Sequence, residues 1–138
     1  MTLLRTALML LASWLPAPET GRAYYYDPGM FAQVARNRGM RLAWNAVDGF
    51  ASTRDCAKVD VRRPWVVWAQ IDGGPIESYQ IVDCSAPRDV ARHRRIGLVL
   101  EVDYATAARQ RLQGRPRLRL DGKAPAAILG YSRLSVQP

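Results

Sequence analysis

Two runs rich in β-branched and aromatic residues, PWVVWAQI at 64–71 and SYQIVD at 78–83, stand on either side of Asp72-Gly73-Gly74-Pro75. A glycine-rich turn between two such runs commits the centre of the chain to an antiparallel hairpin. In the first run Trp65, Val67, Ala69 and Ile71 fall on one face of the strand, and Val66, Trp68 and Gln70 on the other. Further strand signals follow the same chemistry: GFAS ahead of Cys56, GLVLEVD at 97–103, RLRL at 117–120, and a closing segment, PAAILGYSRLSVQP. Short helices are expected over 88–94, over 105–112, and within MFAQVARNRG, where Phe31, Val34 and Ala35 share a face and Gly39 supplies a stop. Many short strands with few short helices predict a small, mainly β barrel with helical inserts rather than a layered βαβ fold.

Residues 1–23 differ from the rest. Arg5 precedes an apolar run from Ala7 to Ala12 that continues through Trp14 and Leu15, followed by Pro16, Pro18 and Gly21-Arg22-Ala23. These are the parts of a secretory signal peptide, with cleavage expected after Ala23. The apolar core falls short of the roughly 20 residues that span about 30 Å of hydrocarbon, so no stable membrane anchor is expected. The mature chain is then expected to be secreted and extracytoplasmic, a monomer with an aromatic segment and short helix over 24–48 and the barrel over 49–138. In that compartment an even cysteine count reads as a disulfide, so Cys56 and Cys84 are expected to bridge.

Twenty Lys and Arg against twelve Asp and Glu give a formal charge of +8. A surface of that sign seeks polyanions, of which wall carboxylates and phosphates, anionic lipid and extracellular nucleic acid are the available kinds. A scattered arginine surface with no specific partner is the other reading of the same charge. The chain has no recognisable nucleic-acid module, no glycine-rich phosphate loop and no paired Cys/His spacing, so no cofactor or metal is expected, and the partner is expected to be cell-wall glycan or another polyanion. His93, the single histidine, lies within ARHRR and reads as a solvated helix end, and Ser52, Thr53 and Ser85 show no neighbouring base in the sequence.

IVDCSAPRDVARHRR at 81–95 and EVDYATAARQRLQGR at 101–115 echo one another: each carries a strand end into an Asp, a small-residue stretch and an Arg-rich turn. The echo suggests an internal two-fold in which Asp83 and Asp103 occupy equivalent places. The order of pieces resembles a double-psi β-barrel of the rare lipoprotein A, barwin and expansin type. GFASTRDCAKV is similar to the family's small-residue stretch, WVVWAQIDGG with SYQIVDCSAP to its central hairpin, and LVLEVDYATAARQRL with RPRLRL to its closing helix and strand, over about residues 49–121. The resemblance implies a six-stranded double-psi barrel with one or two short helices, preceded here by the N-terminal helix, and a role at cell-wall glycan. The family's lytic enzymes carry a His in the small-residue stretch, where ASTRDC has none. The Asp83 turn is Asp-Cys-Ser-Ala-Pro, and Asp103 is followed by Tyr-Ala where Leu-Ser is the pattern.

The resemblance implies a lytic transglycosylase-like reaction in which one carboxyl protonates the glycosidic oxygen and then takes a proton from the sugar. Asp103, paired with Asp83, is the expected acid/base. Asp103 also stands where an N-cap for the helix after it is needed, and Asp83 where an Asx turn is. Trp68 and Gln70, with Tyr104 and Thr53, are the expected glycan contacts, Trp68 as a ring for a sugar to stack on. The leading expectation is a wall-associated barrel that binds peptidoglycan or a related polysaccharide. A glycan lyase using Asp103, or a secreted module that binds or inhibits a protein, are the alternatives.

Overall fold

The computed structural model describes residues 18–112 and 124–135. Six strands, β1 (Glu19–Tyr25), β2 (Gly49–Thr53), β3 (Trp65–Ile71), β4 (Ile76–Cys84), β5 (Leu98–Val102) and β6 (Ala124–Arg133), close into one barrel in the order β1-β5-β2-β4-β3-β6. Three helices accompany them: α1 (Met30–Arg38), α2 (Val90–Arg95) and α3 (Tyr104–Leu112). The fold is therefore mainly β with a few short helices. Among the described residues no helix is long and apolar enough to cross a membrane. The central hairpin is β3–β4, its turn made by Asp72 and Gly73, both at positive φ. The expected strand at 117–120 lies outside the described residues.

Two pairs in the barrel are parallel, β1 with β5 and β2 with β4, and the remaining pairs are antiparallel. Advancing every strand by three reproduces the same pairs with the same sense, so β1 answers to β4, β2 to β5 and β3 to β6. An internal two-fold is thus present in the connectivity, but not between the segments whose sequences echo. Those segments are β4 with α2 and β5 with α3, whereas the counterpart of β4 is β1. Asp83 and Asp103 accordingly do not occupy equivalent places.

The strands read as they do because of which side chains they bury. Val67, Ala69 and Ile71 of β3 point inward with Tyr79, Ile81, Leu100, Val102, Ala126 and Ile128 to fill the barrel. A second cluster lies outside it: Phe31, Ala35 and Met40 from α1 and the turn after it pack on Phe50 and Val82, covering the outer face of β2 and β4. Helix α1 stops where Gly39 turns left-handed at φ 71° and caps the last carbonyls. Helix α3 is clasped to β4 by Glu77, a buried carboxylate that accepts from the Tyr79 hydroxyl at 2.9 Å and from Arg109 and Gln110. Burial, followed by the Glu77 charge, raises the Tyr79 phenol far above its ordinary value.

Cys56 and Cys84 are bonded, with Cα atoms 5.0 Å apart, tying the turn after β2 to the end of its parallel partner β4. Cleavage after Ala23 falls inside β1. It would remove Glu19 to Ala23, the residues through which β1 pairs with β6, and so open the barrel. The segment 24–48 likewise belongs to the barrel domain, supplying the end of β1 and the helix that covers β2.

Two outcomes check this. A chain trimmed to begin at Tyr24 should melt far below one trimmed to begin at Pro18, as read by thermal denaturation. Replacing both cysteines by Ser should lower the unfolding free energy in denaturant titration by about 3–4 kcal/mol, the chain-entropy value for a loop of this length.

Candidate functional site

Strand β2 is buried along its whole length and lies between β4 and β5, and the acidic residues of those two strands gather about it. Asp103, one residue past β5, accepts from the Phe50 N–H at 2.9 Å through Oδ1. The same oxygen takes the Thr106 hydroxyl at 2.7 Å, while Oδ2 takes the Thr106 N–H at 3.1 Å. This is an N-cap of α3 that also docks the helix on β2. Gly49 makes the docking possible, since a Cβ there would overlap Thr106 Oγ1 and Asp103 Oδ1. Both carboxylate oxygens of Asp103 are thus committed to donors of the chain itself.

Asp83 lies elsewhere along β2. It stands opposite Ser52, where a bulge in the β2–β4 ladder lets Val82 and Asp83 share the outer face. Its Oδ1 accepts from Arg38 at 2.7 Å and its Oδ2 from the Tyr26 hydroxyl at 2.9 Å, so α1 and the end of β1 are both fastened to it. The Tyr26 ring stacks on Phe31 with centroids 4.3 Å apart. Burial, despite the Ser52 hydroxyl beside it, pushes the Tyr26 phenol well above its ordinary value, and the charges of Glu101 and Asp83 add to the shift.

The carboxyl that meets Asp83 is therefore not Asp103 but Glu101. Glu101 stands opposite Ser52 on the other side of β2, so Asp83, Ser52 and Glu101 form a row across β4, β2 and β5. Burial, then the charge of Asp83, pushes Glu101 up to about 7; Arg92 pulls the other way and Asp89 adds slightly. Sequence reasoning passed over Glu101, yet the signal was there: a single charge inside the apolar run LVLEV, whose other four residues are all buried.

Two depressions that share Trp44, Phe50, Asp103 and Ala105 open on the outer side of β2. The larger, with a volume of about 180 Å³, runs between Asp27, Phe31, Leu42, Trp44, Asp103 and Tyr104. The smaller continues past Trp44 to Asp48 and Arg109. The Trp44 side chain is shared by both, 65% exposed and edge-on to Phe50 at 4.6 Å. Trp44 sits in the turn-rich segment between α1 and β2, where no periodicity marks it. Tyr104 is also exposed, its ring tilted against Tyr25.

Of the other expected glycan contacts, only Tyr104 borders these depressions. Trp68 and Gln70 lie on β3, separated from β2 by β4. Trp68 is exposed and gives its indole N–H to Ser132 at 3.0 Å, and Gln70 is turned to the Gly74 carbonyl at 2.7 Å. Thr53 is buried, its hydroxyl accepting from the Asp55 N–H. His93 is not a solvated helix end: it is buried, with Nδ1 2.7 Å from the buried Ser85 hydroxyl. This contact pins α2 to the end of β4.

Comparison with family models, curated proteins and solved structures finds no match for this chain.

The raised Glu101 has a direct consequence for stability. An acid whose folded value lies above its unfolded value stabilises the fold while protonated, and that contribution is lost as pH rises from about 4.5 through about 7. Wild type should therefore lose melting temperature over this window relative to Glu101→Gln, and the two should run parallel above it, as read by thermal denaturation across pH.

Proposed function

We infer that this protein is an extracytoplasmic β-barrel of the double-psi type that binds a cell-wall polysaccharide, with the Trp44 depressions as the sugar-binding surface. The observation that carries this reading is the Trp44 indole, 65% exposed and shared by two confluent depressions. An aromatic face set over a shallow groove matches the apolar face of a pyranose ring, and Tyr104 extends the platform. Asp27, Asp48 and Arg109 line the groove with the polar groups that sugar hydroxyls and amides need. A chain of sugars, rather than one, fits two depressions that continue into each other.

The double-psi assignment is supported by the pairing pattern, two parallel strand pairs related by a three-strand advance. The Cys56–Cys84 bond supports residence in an oxidising compartment. The arginine surface adds attraction for the carboxylates and phosphates of a wall without choosing among them.

A sedimentation assay on purified insoluble peptidoglycan separates these contributions. Wild type should be retained at low salt and largely retained at 0.5 M salt, where exposed charges are screened within about 4–5 Å. Trp44→Ala should weaken retention about tenfold, corresponding to loss of ~1.4 kcal/mol of stacking. Equal retention of the variant would remove Trp44 from the site, and retention abolished by salt would reduce binding to charge alone.

A further inference from the structure

The strand directions sort the connections between the two ends of the barrel. Strands β2, β4 and β6 finish, and β1, β3 and β5 begin, at the end where Cys56 and Cys84 are bonded. The connections 54–64 and 85–97 lie at that end. Their roots are tied together by the disulfide and by the Ser85 N–H, which donates to the Thr53 carbonyl at 2.9 Å. Between them they hold eight Lys and Arg against three Asp. All three acids are engaged within the chain: Asp55 accepts from the Ala57 N–H, Asp60 pairs with Arg133, and Asp89 with Arg88 and Arg92. Asp60 also accepts from the backbone N–H groups of Arg62 and Arg63, which fixes the turn that carries those two side chains. Arg62 and Arg63 are exposed, as are Arg94 and Arg95, and none of the four meets a carboxylate among the described residues.

Each arginine pair has an exposed β-branched apolar neighbour, Val61 before the first and Ile96 after the second. The end of α2 gives a reason for cations at 94 and 95, because its last carbonyls lie there. It gives none for Arg62 and Arg63, or for two apolar side chains left in water beside the pairs. Guanidinium pairs without a carboxylate repel one another, and their planar forks match the free oxygens of a phosphate. A soluble polyanion would satisfy the arginines alone. A lipid surface satisfies both kinds of residue, since its phosphate headgroups lie directly above an apolar layer that accepts Val61 and Ile96.

We propose that this end of the barrel docks reversibly on a membrane surface rich in anionic phospholipid, with Arg62, Arg63, Arg94 and Arg95 on headgroup phosphates and Val61 and Ile96 entering the interface. The contact needs no spanning segment. It also orients the molecule. The Trp44 depressions are lined by residues at the start of β2 and just past β5, which belong to the opposite end, so a docked barrel turns them away from the bilayer. The proposal goes beyond the polysaccharide reading and does not depend on it.

The test floats the oxidised full chain with vesicles and reads its partition onto phosphatidylcholine vesicles containing phosphatidylglycerol relative to phosphatidylcholine alone. The apolar residues near the N-terminus contribute to both sides of that ratio. Wild type should favour the anionic vesicles at least about 100-fold, and Arg62→Gln with Arg63→Gln should lower the preference about 25-fold, from roughly fivefold per arginine. Arg94→Gln with Arg95→Gln should lower it similarly. The Arg62 and Arg63 side chains make no hydrogen bond or ion pair among the described residues, so the first pair of substitutions should leave the melting temperature unchanged. Val61→Ser with Ile96→Ser should cut partition onto anionic vesicles at least about tenfold. A wild type without preference, or either arginine double variant partitioning as wild type does, overturns the proposal. So does a Val61→Ser, Ile96→Ser variant bound as well as wild type, which would make this end a site for soluble polyanions.

Discussion

Everything on the functional face depends on β2, five residues that have no solvent-facing side. Each does a different thing. Gly49 leaves the space into which Asp103 and Thr106 fit, and Phe50 joins the outer cluster while its N–H receives Asp103. Ala51 fills the barrel, Ser52 sits between two carboxyls, and Thr53 runs beside Cys84. A strand parallel to one neighbour and antiparallel to the other brings together chain ends that would lie apart in a simple meander. This is why the C-terminal ends of β4 and β5 arrive at different heights along β2, and why Asp83 meets Glu101 rather than Asp103.

Around that strand the charges sort into pairs and a remainder. Glu19 with Arg54, Asp60 with Arg133, Glu77 with Arg109 and Asp83 with Arg38 fasten elements that are distant in sequence. Only Glu77 among these acids is deeply buried, and it is satisfied by three side-chain donors, as a buried charge requires. Lys58 and Arg133 both lie over the Trp65 ring in cation–π contacts, Arg133 while it also pairs with Asp60. The net positive charge is therefore partly structural. It holds the barrel's loops in place as well as presenting arginines to solvent.

Much of the fold was legible because its signals are local. The Asp72-Gly73 turn, the alternation in β3, the strand at 98–102 and the helix beginning after Asp103 each follow from a few neighbouring residues, and the disulfide followed from counting. What the sequence hid is non-local. Glu19–Tyr25 carries no strand pattern of its own and becomes β1 only because β5 and β6 offer it edges. The echo between 81–95 and 101–115 is real as chemistry, an Asp before a helical turn in each, but it relates neighbouring units and not those the two-fold relates. The same limit applies to the site: Asp103 was visible as a cap, while Glu101 acquires its character from Asp83, a strand away on the other side of β2, and Trp44 from a groove that three separate segments build.

The Cys56–Cys84 bond lies next to Asp83 in the chain and beside Thr53 in the ladder, so it fixes the very end of β4 that carries one half of the carboxyl pair. A chain held under reducing conditions lacks that tie, and the end of β4 is then held by its ladder, by Arg38 and Tyr26 at Asp83 and by His93 at Ser85. Oxidation is thus a step in shaping this end of the barrel, since the bond joins the turn after β2 to the strand end that carries Asp83.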